Sequence, residues 1–176
     1  MINGKKILNT ILILIICSST TTIVHASSDY VLPYPSYMPG NKLYTIHLIL
    51  ETFSKYWHFG DFGQFSYNLR ESDKYLVETK TLFEYQQYLL GYKALNKSND
   101  FFIKVEPSLI KAKQNGKDIT EKKNTLEQAS KKHIEVLQRI IMDTPEVFNW
   151  SPEKSPSTNL LLRKSLIESI KVRKKI

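Results

Sequence analysis

Histidines and carboxylates are where chemistry could start in this chain. His47 and Glu51 stand four residues apart, one helical turn, so both could face a single point and begin a metal site. A third ligand would have to come from His58, Asp61 or His133, which only the fold could bring near; ordinary polar residues on a helix face are the plain alternative. His133 falls inside an apolar stripe and is expected to be a hydrogen-bonded residue at the edge of a core. The chain has no serine in a Gly-x-Ser-x-Gly elbow, no phosphate-binding glycine loop and no His-Glu-x-x-His pair. No catalytic constellation is visible, so an enzyme is not expected, and neither is a cofactor. Asp73, Glu78 and Glu84 could act as paired carboxylates, but with Lys74 and Lys80 among them they read as a solvated helix face. Lys74 and Glu78 have ion-pair spacing, worth a few tenths of a kcal/mol.

Two groups of residues suggest contact rather than catalysis. Tyr85, Tyr88 and Tyr92 share one face of a helix, and tyrosine offers contact area with a polar tip; half-buried packing is the other use of such residues. Arg163, Lys164, Lys171, Arg173, Lys174 and Lys175 crowd the last helix beside an apolar stripe. Cations there favour the helix dipole, and they could also attract an anionic membrane or wall polymer. Of the formal +8 charge, Lys5 and Lys6 account for two, and the last twenty residues for five. The body is left nearly neutral, so a broad nucleic-acid-binding face is not expected.

The first residues read as an export signal. Lys5 and Lys6 precede the apolar stretch Ile7 to Ile16, about half the length of a membrane span, and Val24-His25-Ala26 offers a cleavage site after Ala26. Cys17 is the only cysteine. Lipid attachment there, or an uncleaved membrane anchor, are the minor alternatives, because Ile16 is bulky for the residue before a lipidated cysteine. After cleavage no thiol remains for a disulfide or a thiolate metal site, and about 150 residues must stand on a hydrophobic core.

These side chains must be positioned by helices, since no strand-period alternation of convincing length is present. Residues 27–41 form an extended arm in which Pro33, Pro35 and Pro39 fix φ; its Val31, Leu32, Tyr34, Tyr37 and Met38 are expected to pack along the domain. Residues 42–143 are expected to form a bundle. Leu43, Ile46, Leu50, Phe53 and Trp57, at steps of three and four, predict a first helix with a core-facing seam. Asp61 and Gln64 have capping-box spacing for a second helix that keeps its rhythm from Phe65 to about Leu95, with a break at Asn96 to Asn99. A weaker helix follows around Phe101 to Ile110, with Pro107 kinking it or starting its second part, and Asn115-Gly116 stops it. Asp118 and Glu121 again have capping-box spacing, before a helix running to about Asp143. Residues 144–156 read as a proline-rich linker, and Ser155-Pro156 as the cap of a basic amphipathic helix over 157–176. The expected class is all-α: an antiparallel bundle of about five helices.

Leu90-Gly91-Tyr92-Lys93-Ala94 is similar to the start of a tetratricopeptide unit, but no second copy follows at a period near 34. A broader likeness is carried by Leu32-Pro33-Tyr34-Pro35, Pro39 and Leu43-Tyr44, then by Ser72-Asp73-Lys74-Tyr75-Leu76-Val77-Glu78, and more loosely by Lys131-Lys132-His133. The chain resembles in these residues a family of exported bacterial proteins named domain of unknown function 5667, in which a Leu-Pro arm leads into a Leu-Tyr helix start. His47 departs from the pattern, where the family carries a lysine. The resemblance implies export and a helical domain, and assigns no catalytic residue. The expectation is a non-enzymatic interaction or scaffold module of the cell envelope with an unknown partner. The alternatives are a binder of anionic membrane or wall polymer through the last helix and, more distantly, a metal-binding protein or hydrolase.

Overall fold

A computed structural model describes residues 29–35, 38–39, 41–154 and 156–176, apart from the side chains at 42, 45, 47, 48, 51, 52, 55 and 56. The described residues form six helices and one short ribbon: α1 (Lys42–Trp57), α2 (Gly60–Glu84), α3 (Tyr88–Phe102), α4 (Val105–Gln114), α5 (Thr120–Asp143), β1 (Phe148–Trp150), β2 (Thr158–Leu160) and α6 (Leu162–Arg173). The class is all-α, as the apolar periodicity predicts. The expected signal, the cleavage site after Ala26 and Cys17 lie outside the described residues.

The register of side-chain contacts gives the packing directions. Phe83 meets Tyr88 and Ser72 meets Ser98, so α2 and α3 run antiparallel. Thr144 meets Arg163 and Ser130 meets Arg173, so α5 and α6 do the same. Asp73 against His133, with Phe83 and Ile140 packed together, sets α5 parallel to α2. The long α2 is therefore the spine. Its upper half joins Leu76 and Phe83 to Leu95, Leu137, Leu162 and Leu166 in one apolar cluster. Its lower half joins Phe65 and Leu69 to Phe102, Val105, Leu109 and Leu126 in a second.

Several boundaries differ from expectation, each for a local reason. The long second helix breaks after Glu84: Gln86 takes a left-handed φ of 59°, and Gln87 N donates to Leu82 O, closing a tight reversal that starts α3. The break predicted at Asn96 to Asn99 is instead helix interior, because Ser98 and Asn99 are polar residues with buried partners. Pro107 lies in the first turn of α4, where its missing N–H costs nothing. Asp61 does not cap α2 but accepts from Asn115 Nδ2 (2.9 Å) and Lys117 Nζ (3.1 Å), tying the α4 end to the start of α2. Asp118 does serve the start of α5, accepting from Thr120 N at 2.9 Å. The expected linker holds a two-stranded antiparallel ribbon, Phe148 opposite Leu160 and Trp150 opposite Thr158, and the last helix begins at Leu162. The arm alternates as extended chain must: Tyr30 and Leu32 turn inward, while Val31 and Tyr34 are exposed.

Candidate functional site

The residues singled out from the sequence do not converge. His47 and Glu51 lie within α1, where their side chains are not described. His58 Nδ1 is 2.8 Å from the Ser54 carbonyl, Asp61 is engaged with Asn115 and Lys117, and His133 is in the core. Among the described residues no three His, Cys, Asp or Glu side chains come together as a metal set. The three tyrosines are divided by the α2–α3 turn. Tyr85 is exposed at the end of α2, Tyr88 packs edge-on to Phe83 and against Phe148, and Tyr92 packs against the upper cluster. They do not share a face.

The basic last helix is also divided. Its apolar stripe, Leu162, Leu166 and Ile170, belongs to the core. Arg163 Nε donates to the Thr144 carbonyl at 2.7 Å, which holds the end of α5, and Arg173 is wholly buried. Lys164, Lys171, Lys174 and Lys175 are exposed. The supposed solvated face of α2 is corrected in the same way. Glu84 is exposed and pairs with Lys80 at 2.7 Å, but Asp73 and Glu78 are buried.

Asp73 is buried because it anchors a polar chain that crosses the bundle. Its Oδ2 accepts from Tyr30 of the arm at 2.5 Å, and its Oδ1 lies 2.6 Å from His133 Nε2. Arg173 Nε donates to His133 Nδ1 at 3.1 Å. A guanidinium N–H can only donate, so Nδ1 accepts, and the imidazole proton sits on Nε2, directed at the carboxylate. The remaining Arg173 donors reach Asn99 Oδ1 (2.6 Å), the Ser169 carbonyl (3.0 Å) and Ser98 Oγ (2.8 Å), and its plane lies over Phe102. Four helices and the arm thereby meet at one neutral imidazole between an anion and a cation. Burial holds the His133 pKa below the ordinary imidazole range, with the nearby Arg173 charge adding to the effect against the Asp73 hydrogen bond. Burial also pushes Arg173 down to about 9, which leaves it charged at neutral pH. Among the described residues every buried side-chain polar atom has a partner. An Asp–His pair is half of a general-base arrangement, yet here the second imidazole nitrogen is occupied by Arg173 and the ring has no exposed surface, so no substrate proton can reach it. The chain of bonds is suited to fixing helix register.

The feature that departs most from an ordinary bundle is α1. At about 100° per residue, Leu43, Ile46, Ile49, Leu50, Phe53 and Trp57 fall within an arc of roughly 120°. Every one of them is exposed, from 47% at Leu43 to 82% at Trp57, and Phe59 just beyond the helix is 80% exposed. The seam expected to face the core faces outward. The attachment to α2 starts away from this arc and ends at its edge: on the far side Tyr44 Oη donates to Glu78 Oε1 at 3.2 Å, and at the flank beside Leu43 Ser54 Oγ accepts from Arg70 Nη2 at 2.9 Å. Among the described side chains, α1 is thus joined to α2 by hydrogen bonds and presents its apolar arc to the surroundings. Burial raises the Glu78 pKa above the usual carboxylate range and pushes Tyr44 up to about 12, the nearby Glu78 charge reinforcing the second shift. Nothing in the amphipathic spacing could tell an inward seam from an outward one; the polar residues Tyr44 and Ser54 were the available sign. An open groove of about 620 Å³ runs nearby between α2 and the α3–α4 corner, lined by Tyr67, Phe101, Lys104 and Lys111 among others.

Comparison of the chain with protein-family models, with curated proteins and with solved structures finds no match.

Proposed function

We propose that the protein is a non-enzymatic interaction module of the cell envelope, exported by the signal in its first 26 residues, whose working face is the outward apolar side of α1. One observation carries this reading: α1 uses hydrogen bonds to sit on the bundle and leaves its largest apolar residues, Leu50, Phe53 and Trp57 among them, uncovered. Seven such side chains make a patch on the order of 800 Å², against roughly 300–600 Å² for the largest apolar patch of an ordinary monomer. The likeness to the exported domain-of-unknown-function family supports the export part of the reading. The sealed, fully bonded surroundings of His133 remove that histidine as a general base. A second reading, contact with an anionic wall polymer through Lys164, Lys171, Lys174 and Lys175, has their exposure in its favour. Ile167, 46% exposed, lies among them, while Leu162, Leu166 and Ile170 are packed in the core, so this contact would be mainly electrostatic.

Cell fractionation tests the proposal. The full chain should be recovered with the envelope, and Leu50→Glu/Phe53→Glu should be released to the soluble fraction with an unchanged melting temperature. Equal retention of both chains would remove α1 as the working face, and recovery of both from the cytoplasm would remove export. Lys171→Gln/Lys174→Gln, released where the α1 variant is retained, would favour the second reading.

A further inference from the structure

We infer that the occupant of the α1 face is an anionic lipid surface, on which the helix lies flat with its apolar arc in the outer acyl region. The inference rests on the proposal that α1 is the working face and names what it contacts. Its first support is the shape and make-up of the patch. Two-stranded pairing between copies of the chain would use a narrow seam, with β-branched residues at one position and leucine at the other. In α1 the order is reversed, Leu43 and Leu50 alternating with Ile46 and Phe53, which suits three or four strands rather than two, but Ile49 widens the arc beyond any such seam. Phe59, which lies outside the helix, extends the patch past its end. A wide arc with aromatic residues gathered at one end suits a flat support, where Trp and Phe settle at the boundary between headgroups and chains.

The second support is charge. Beside α1 the body presents Arg70 and Lys97 as exposed cations, whereas the acids interleaved with them, Glu71 and Glu78, are buried at 3% and 5% exposure. The side chain of Arg70 already bonds Ser54 of α1, so its guanidinium lies at the helix flank with half its surface in solvent. Arg70 pairs with Glu71 at 3.3 Å, but of the two only the guanidinium reaches solvent, so the charge exposed at this flank is cationic, which complements phosphate-bearing headgroups.

The chain has two tryptophans, so Trp150→Phe in the full-length protein makes Trp57 the sole indole, a reporter on α1, and the comparison with Leu50→Glu/Phe53→Glu separates contact through α1 from contact through residues 7–16. Trp57 is 82% exposed and should emit as an indole in water. On addition of phosphatidylglycerol vesicles its emission should shift to shorter wavelength and be quenched by brominated acyl chains, with weaker effects on phosphatidylcholine vesicles and at high salt. Adding Leu50→Glu/Phe53→Glu should weaken the vesicle dependence at least about tenfold. Emission unaffected by vesicles overturns the lipid assignment. If it is instead shifted without vesicles and in proportion to protein concentration, the occupant is a second copy and the interaction reading survives. If Trp57 stays water-exposed under both conditions and the α1 variant fractionates as the unaltered chain does, both fail.

Discussion

At the scale of single residues, the decisive group is His133, held between Asp73 and Arg173. Removing the anion strands a buried cation: Asp73→Asn should cost about 3–5 kcal/mol in urea unfolding, with part of the loss recovered in Asp73→Asn/Arg173→Met, where no buried charge is left unpaired. The imidazole itself has a pH signature. Above pH 6.5 it is neutral in both folded and unfolded chains; below that the unfolded chain takes up a proton that burial denies the folded one. Unfolding then binds protons, so this group makes stability fall as pH drops through 6.5. Glu71 and Glu78, held above their usual range by burial, act oppositely because the folded chain protonates them first. Asp73, Arg173 and Tyr30 face the same cluster, so the imidazole is isolated by difference. His133→Gln should cost about 1–2 kcal/mol at pH 8, and that deficit should shrink between pH 6.5 and pH 5. A deficit constant over this interval would assign the acid response to other groups. The sequence did mark His133 as a hydrogen-bonded residue in an apolar stripe. Its partners were illegible, since Asp73 and Arg173 are 60 and 40 residues away and each looked like surface charge.

At the scale of elements, the spine α2 and its antiparallel neighbour α3 are pressed together at Gly91. A Cβ there would stand 2.5 Å from Phe83 Cδ2 and 2.7 Å from Cε2, closer than packed atoms come. Gly91→Ala should therefore cost about 1–3 kcal/mol despite the better helix propensity of alanine. Phe83→Leu, which withdraws the ring, should offset part of that cost in the double variant, and thermal unfolding of the four proteins measures the coupling. Helix existence was readable from apolar spacing for α1, α2, α5 and α6. The split of the expected long helix into α2 and α3 was not, because Tyr85-Gln86-Gln87 contains neither Gly nor Pro and the reversal rests on Gln86 accepting a left-handed φ. The small ribbon was equally hidden: three-residue strands are too short for an alternating pattern to register.

At the scale of the whole molecule, stability and surface activity fall on different residues. Leu137 and Leu166 have no exposed surface and lie in the cluster that joins α2, α3, α5 and α6, whereas Leu50 is 61% exposed on α1. All three looked alike in the sequence, apolar members of helical stripes. What separates them is that α5 and α6 turn their apolar sides to the spine, whereas α1 is bound to it through Tyr44 and Ser54. Leu137→Ala should accordingly lose about 2–5 kcal/mol through transfer and cavity terms, while Leu50→Ala should stay within about 0.5 kcal/mol of the unaltered chain. The comparison discriminates sharply because the two substitutions delete the same atoms. If Leu50→Ala lowered stability as much as Leu137→Ala, the α1 stripe would be core covered by this chain itself, and the outward face on which the functional reading depends would be lost. If only Leu137→Ala is costly, the apolar side of α1 contributes little to folding, and its size remains to be accounted for by what it contacts.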